Sequence, residues 1–204
     1  MAGEIASAAV PKAALRQQII AARDALPAEK RRELSARITT RVLELEAYRN
    51  ARCVLAYMSF GSEYVTDALV ADAFAHGKYL CLPRVARDTG RLELHRVDNI
   101  EHDLRSGVWG IREPRAERPR AKLDRIDFVL LPGVAFTPRC DRLGYGGGYY
   151  DRLIAQFARR PPLVAAAFAL QIRAEIPLHA GDERIDTVVT EDDIYCRMAE
   201  FRKS

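Results

Sequence analysis

The sequence predicts an α/β protein: a Rossmann-like three-layer sandwich with helices on both faces of a mostly parallel, twisted sheet. Three observations carry that expectation. Apolar and amphipathic runs alternate as strand, helix and strand over 53–58, 66–76 and 79–82, the order of a parallel βαβ unit. A further apolar run at 128–131 leads through a turn and a glycine-rich loop into another amphipathic stretch from Tyr149. A length of 204 residues with 49% hydrophobic content suits one compact core. A single domain over 1–204 is therefore expected, with 1–10 a flexible tail.

Taken in order, Pro11 to Leu26 reads as a helix. Proline suits a first helical position, and Leu15, Ile19, Ala22 and Leu26 recur at helical spacing. Lys12, Arg16 and Arg23 fall on a narrow arc beside that stripe. A second helix is expected from Pro27 to about Leu45, with Leu34, Ile38, Val42 and Leu45 inward. Cys53 to Met58 is a buried strand, broken by Ser59, Phe60, Gly61 and Ser62. Thr66 is placed to cap a helix reaching His76, with Leu69, Val70 and Phe74 inward. Tyr79 to Leu82 is the next strand, which Pro83 is expected to stop. Val85 to Val97 reads as a hairpin around Asp88, Thr89 and Gly90. From Asp98 to Asp124 the chain is polar and turn-rich, a long loop holding the sole tryptophan, Trp109. A strand at 128–131, a helix from Tyr149 to Phe157, a strand opening the stretch 163–170 and a short strand at 187–189 complete the series.

The formal net charge of +4 is mild and the cations are scattered, so nucleic acid is not expected as a partner. An anionic small molecule suits the same balance. None of the four cysteines, Cys53, Cys81, Cys140 and Cys196, lies in a C-x-x-C or at zinc-ligand spacing from a histidine. Reduced thiols in the cytoplasm are expected, with Cys140 the one to test for reactivity. No apolar stretch approaches the ~20 residues of a membrane helix, and the start of the chain lacks the pattern of a signal peptide.

The chemistry concentrates between Leu131 and Ile154. Gly144, Gly146, Gly147 and Gly148 fill four of five positions and remove side chains that would hold a ligand off the backbone. Neither a Walker A loop nor a dinucleotide fingerprint is present. A turn needing positive φ angles is one reading. A phosphate cradle, with strand before and helix after, is the other and better one. Asp151 in the first helical turn either compensates the dipole or ligates Mg²⁺, which takes one or two carboxylates plus phosphate oxygens. Lys12 and Arg16, four apart on one helix face, are either a solvated pair or phosphate contacts. Glu63 follows the strand ending at Met58, at the carboxyl end where open α/β sheets bind ligands. Tyr149, Tyr150, Trp109 and Phe136 either wall a pocket for a flat ring or belong to the core. The four histidines form no metal or triad pattern.

Together these residues resemble the 5-formyltetrahydrofolate cyclo-ligase family, also called the 5,10-methenyltetrahydrofolate synthetases. The strongest match runs from Pro132-Gly-Val-Ala-Phe136 to Arg142-Leu-Gly-Tyr-Gly-Gly-Gly-Tyr-Tyr-Asp-Arg152. Weaker matches are Lys12-Ala-Ala-Leu-Arg16, Met58-Ser-Phe-Gly-Ser-Glu-Tyr-Val-Thr66, Leu82-Pro-Arg-Val85, Trp109-Gly-Ile-Arg-Glu-Pro114 and Asp182-Glu-Arg-Ile-Asp186. The resemblance implies an enzyme that uses ATP and Mg²⁺ to close 5-formyltetrahydrofolate to 5,10-methenyltetrahydrofolate; a monomer is expected. It implies that Lys12 and Arg16 contact ATP phosphates, and that Arg142, Leu143, Gly144, Tyr145, Gly146, Gly147, Gly148, Tyr149 and Tyr150 wrap the nucleotide. Lys12 and Arg142 would act on the transferred phosphoryl group. Met58, Glu63, Trp109, Gly146, Tyr149 and Tyr150 would contact the folate, and Asp151 and Asp182 would bind the metal, with Asp186 the alternative to Asp182. Some members carry lysine where this chain has Gly147, so Arg142, Lys12, Arg16 and backbone amides would carry more of that charge. The alternatives are a sugar-phosphate isomerase or CoA-transferase on a similar scaffold, which would turn over without nucleotide, and a non-catalytic nucleotide- or RNA-binding module.

Overall fold

The computed structural model describes residues 11–107 and 110–197. The expected tail at 1–10 and Trp109 lie outside the described residues. Five strands run parallel: β1 (Cys53–Leu55), β2 (Tyr79–Ala86), β6 (Phe128–Leu131), β9 (Leu163–Ala166) and β10 (Thr187–Val189). Two edge strands, β3 (Arg91–Val97) and β11 (Ile194–Cys196), are antiparallel to their neighbours. The seven form one sheet in the order β11-β10-β9-β6-β1-β2-β3. The α/β class and the mostly parallel sheet are as the sequence predicts.

Period-two alternation sends neighbouring side chains to opposite faces. Val54, Leu80, Leu82, Phe128, Leu130 and Val164 pack against α2 (Ala28–Glu44), α3 (Glu46–Asn50) and α4 (Asp67–Ala75). Leu55, Cys81, Val129, Leu131, Leu163 and Ala165 pack on the other face, against Phe136, Cys140 and α6 (Tyr149–Ile154). Because both faces are covered, β6 and β9 are apolar at every position and wholly buried, as parallel strands require. The helix α1 (Lys12–Asp24) packs Leu15 and Ile19 on a separate small cluster with Val134, Ala135, Leu143 and Ile176.

Several expectations change in detail. The strand begun at Cys53 ends at Leu55, and Tyr57 and Met58 leave the sheet. Pro83 does not stop β2, which runs through it to Ala86. The alternation explains why. The Cys81 carbonyl accepts from Ala56 N, on the β1 side. Pro83 and Val85 therefore face that same side, where β1 has already ended. No ladder donor is needed at Pro83, and Val85 N donates to the Glu113 carboxylate at 3.3 Å instead. Thr66 occupies the cap position of α4 without capping it, and its Oγ1 accepts from Ser59 N. The described residues of the polar stretch 98–124 are structured. They hold α5 (Ile100–Asp103), paired strands β4 (Leu104–Ser106) and β5 (Arg112–Pro114), and a 3₁₀ turn at Leu123–Arg125. Between β6 and α6 the expected turn is a two-stranded ribbon of β7 (Ala135–Phe136) and β8 (Arg142–Leu143). α6 has six residues and ends at Ile154, short of the expected Phe157.

The strand order places the crevice. The connection leaving β1 passes through α4 on one face, and the connection leaving β6 passes through α6 on the other. β1 and β6 are neighbours, so their carboxyl ends bound a topological switch point, where open α/β sheets bind ligands.

Candidate functional site

A cleft of about 990 Å³ opens at that switch point. One wall is the chain leaving β1. Tyr57, Met58, Phe60 and Glu63 line it, and Pro83, Val85 and Leu92 of the β2–β3 hairpin extend it. Glu63 is 4% exposed. Its Oε1 accepts from the Tyr145 hydroxyl at 2.5 Å and its Oε2 from Phe60 N at 3.1 Å. Burial pushes this carboxyl up, outweighing those two hydrogen bonds and the nearby Arg23 charge. Burial likewise raises the phenols of Tyr57, Tyr145 and Tyr150, so all three stay neutral near pH 7.

The second wall is the loop between β8 and α6. Gly146 and Gly148 take φ of 107° and 63°, the left-handed region where a Cβ is strained. At Gly147 the constraint is space: a Cβ would come 2.6 Å from the Tyr149 ring. The glycines thus serve a conformational need and also keep side chains out of the cleft, so the two readings of the loop are compatible. A six-residue helix has a small dipole, which leaves most of the positive field to side chains.

Those side chains form the third wall. α1 lies along the cleft, and Lys12 and Arg16 of its cation arc line it. Lys12 Nζ pairs with Asp182 Oδ2 at 2.5 Å. Arg16 Nε donates to Gly144 O at 2.8 Å, and its guanidinium lies beside Gly146. Arg142 is buried, donating from Nη2 to Asp151 Oδ1 at 2.6 Å and from Nη1 to Pro132 O at 3.3 Å, while its Nε has no partner among the described residues. Burial works to raise the Asp182 carboxyl, but the bonds from Lys12 Nζ and His179 N prevail and hold it below the usual range.

The structure therefore brings Lys12, Arg16, Met58, Glu63, Asp151, Asp182 and the whole stretch 142–150 to one cavity. Phe136 is core instead, fully buried under the sheet. Asp186 is not at the cleft: it accepts from Leu163 N and pairs with Arg197. Cys140 is buried at φ 64°, and burial pushes its thiol up to about 11, which makes it unreactive.

The 5-formyltetrahydrofolate cyclo-ligase family profile matches residues 8–191 of this sequence. The chain belongs to the 5-formyltetrahydrofolate cyclo-ligase family. The mouse enzyme of that name is 29% identical over 190 residues, 89% of this chain and 94% of that protein. The Escherichia coli K12 enzyme is 27% identical over 175 residues, 85% and 96%. The solution structure of Aquifex aeolicus 5,10-methenyltetrahydrofolate synthetase superposes with a TM-score of 0.82 at 30% identity, covering 95% of this chain and 96% of that one. The chain is thus a ligase-family enzyme of folate metabolism.

Within this cyclo-ligase the two candidate metal carboxylates fit a divalent cation that is held partly by phosphate. Asp151 Oδ1 is engaged by Arg142 and Glu183 N, and Asp182 Oδ2 by Lys12 and His179 N. The other oxygen of each has no protein partner among the described residues. No group of three or more His, Cys, Asp or Glu suited to a metal occurs among the described residues, so Mg²⁺ would need phosphate and water to complete six-fold coordination. Sequence reasoning missed Tyr57, Phe60 and His179 as cleft residues. Tyr57 and Phe60 flank Met58 just past the end of β1 at Leu55, and the expectation of a strand reaching Met58 hid them. Among the described residues no helix is long and apolar enough to cross a membrane.

Proposed function

We propose that the chain catalyses ATP- and Mg²⁺-dependent closure of 5-formyltetrahydrofolate to 5,10-methenyltetrahydrofolate, releasing ADP and phosphate, as a cytoplasmic monomer. One observation carries this reading. A single cleft joins a buried carboxyl between aromatic walls to a glycine loop edged by cations. A reduced pterin has a flat ring with an N–H edge, which suits Glu63 between Tyr57, Met58 and Phe60. A triphosphate suits the glycine loop, Lys12 and Arg16.

The chemical obstacle is that a formamide oxygen leaves poorly. Transfer of the terminal phosphoryl group to the formyl oxygen gives an N5-iminium phosphate. N10 then attacks the formyl carbon and gives up its proton to solvent or phosphate, the carbon–oxygen bond breaks, and phosphate departs with that oxygen. Such transfer asks for alignment and charge neutralisation rather than a protein nucleophile, so no covalent enzyme intermediate is expected. Lys12 and Arg16 neutralise phosphate charge from α1. Buried Arg142 fixes Asp151 and lends its field to the same oxygens. Mg²⁺, when held by Asp151 and Asp182, supplies further neutralisation of the phosphate oxygens. Pro83, Val85 and Leu92 keep the folate side dry, which protects a phosphorylated intermediate from hydrolysis.

The test is absorbance of the methenyl product when the protein is mixed with 5-formyltetrahydrofolate, ATP and Mg²⁺. No chromophore from folded protein rejects the proposal, and turnover without nucleotide favours the isomerase or CoA-transferase reading. Asp151→Asn should lower turnover on the order of a hundredfold; unchanged turnover rejects its metal role.

A further inference from the structure

We propose that Arg23 is a positioning residue for the folate subsite, acting on Glu63 through Tyr145. This rests on Glu63 being the acceptor for the pterin edge. Arg23 sits in the last turn of α1 and is 3% exposed. It does not line the cleft. Its Nη2 donates to the Tyr145 hydroxyl at 2.9 Å, and that hydroxyl donates in turn to Glu63 Oε1 at 2.5 Å. Its Nε donates to Ser62 Oγ at 2.9 Å, and Ser62 Oγ donates to Asp24. The guanidinium also lies 5.8 Å from the centre of the Tyr145 ring, which leans on Phe60 at 5.7 Å.

A buried guanidinium is costly unless its charge is compensated. Here each compensating carboxylate is reached through a hydroxyl, and the two hydroxyls belong to the two segments that frame the cleft. Ser62 adjoins Glu63, and Tyr145 lies in the glycine loop. The relay has three effects. It supplies the positive charge that favours an anionic Glu63 where burial opposes one. It fixes the carboxylate direction, with Oε1 held by Tyr145 and Oε2 by Phe60 N, so that each oxygen keeps a lone pair for a ring N–H. It ties the nucleotide loop to the folate wall. Only a forked donor serves Ser62 and Tyr145 at once, which makes lysine a partial substitute.

The experiment measures the Kd for 5-formyltetrahydrofolate by calorimetry without nucleotide, the KM for each substrate, and thermal melts, on the full chain. Arg23→Met and Tyr145→Phe should each weaken folate binding about tenfold, the loss expected when a hydrogen bond to a charged group disappears. Arg23→Met should raise the nucleotide KM by less than it weakens folate binding, because Arg16 still holds the loop at Gly144 O. The double variant should bind folate about as well as either single variant, because both break one relay. Arg23→Lys should recover part of the affinity. An Arg23→Met protein with a lowered melting temperature but wild-type folate Kd would overturn the inference, as would additive losses in the double variant. Should Arg23→Met fail to fold, unchanged folate Kd in both Tyr145→Phe and Arg23→Lys overturns it equally. A folded wild-type protein that binds no 5-formyltetrahydrofolate overturns the assignment of Glu63 itself, and is thereby distinguished from failure of the relay alone.

Discussion

Glu63 sits where burial favours the protonated form, while the proposed pterin N–H edge would ask for the anion. The two tendencies give opposite pH slopes. Its folded pKa lies above the unfolded one, so its contribution to stability is fully present below the unfolded value and fades as pH rises through the folded value. Folate affinity should run the other way, growing as pH climbs through the same range and the carboxylate forms. In Glu63→Gln the titration is gone: Kd measured against pH should be flat across that range and weaker than wild type at pH 7. A glutamine variant that kept the wild-type pH profile would exclude Glu63 as the titrating acceptor. Asp182 has the reverse sign, because Lys12 holds it below the usual range. Its stabilisation is present above its unfolded value and is lost as pH falls through the lowered one. At this scale much of the site was legible. Residue type and position singled out Lys12, Arg16, Glu63 and Asp151 as candidates, the family resemblance supplied their expected roles and added Asp182, and the structure brings all five to one cleft. The Arg23 relay was not legible, since its partners Ser62 and Tyr145 are 39 and 122 positions away and only folding joins them. Its one trace was the shared arc with Lys12 and Arg16.

At the scale of elements, local signals succeeded where the structure's reasons are local. Helical spacing of Leu15 and Ile19, and of Leu34, Ile38 and Val42, located α1 and α2 within a residue or two. Pro83 misled because its tolerance depends on where β1 ends, which no local pattern records. The hydroxyl of Thr66 likewise had a nonlocal alternative in Ser59 N. The glycine loop was found by composition, and its geometry yields a sharp test. Gly146 has φ 107° with Arg16 close by, so Gly146→Ala should cost about 1–2 kcal/mol. It should also raise the KM for ATP, and the KM for folate with it, because Tyr145 next to Gly146 holds Glu63 Oε1. A melting temperature and nucleotide KM both equal to wild type would show that the loop relaxes without consequence.

For the whole molecule, the seven-stranded sheet is the rigid reference from which both halves of the cleft are hung. Phe128 lies at its centre, fully buried and edge-on to Tyr48 at 5.3 Å. Phe128→Ala should cost about 3–5 kcal/mol, read by denaturant unfolding, with one cooperative transition retained. A loss below about 1 kcal/mol would mean that the neighbouring side chains collapse into the space. The α/β class and βαβ order were legible because strands and helices alternate along the chain. The switch point was not, because the order β9-β6-β1-β2 is a property of pairing between distant segments.

The way α1 is held has a consequence for motion. Its apolar anchor is only the small cluster around Leu15 and Ile19, apart from the two large layers, whereas its polar face reaches Asp182, Gly144, Ser62 and Tyr145. Amide hydrogens of Gln17 to Arg23 should therefore exchange with deuterium faster than those of β6 and β9 in the free protein, through opening short of global unfolding. Saturation with folate and nucleotide should slow that exchange, because a detached helix can hold neither.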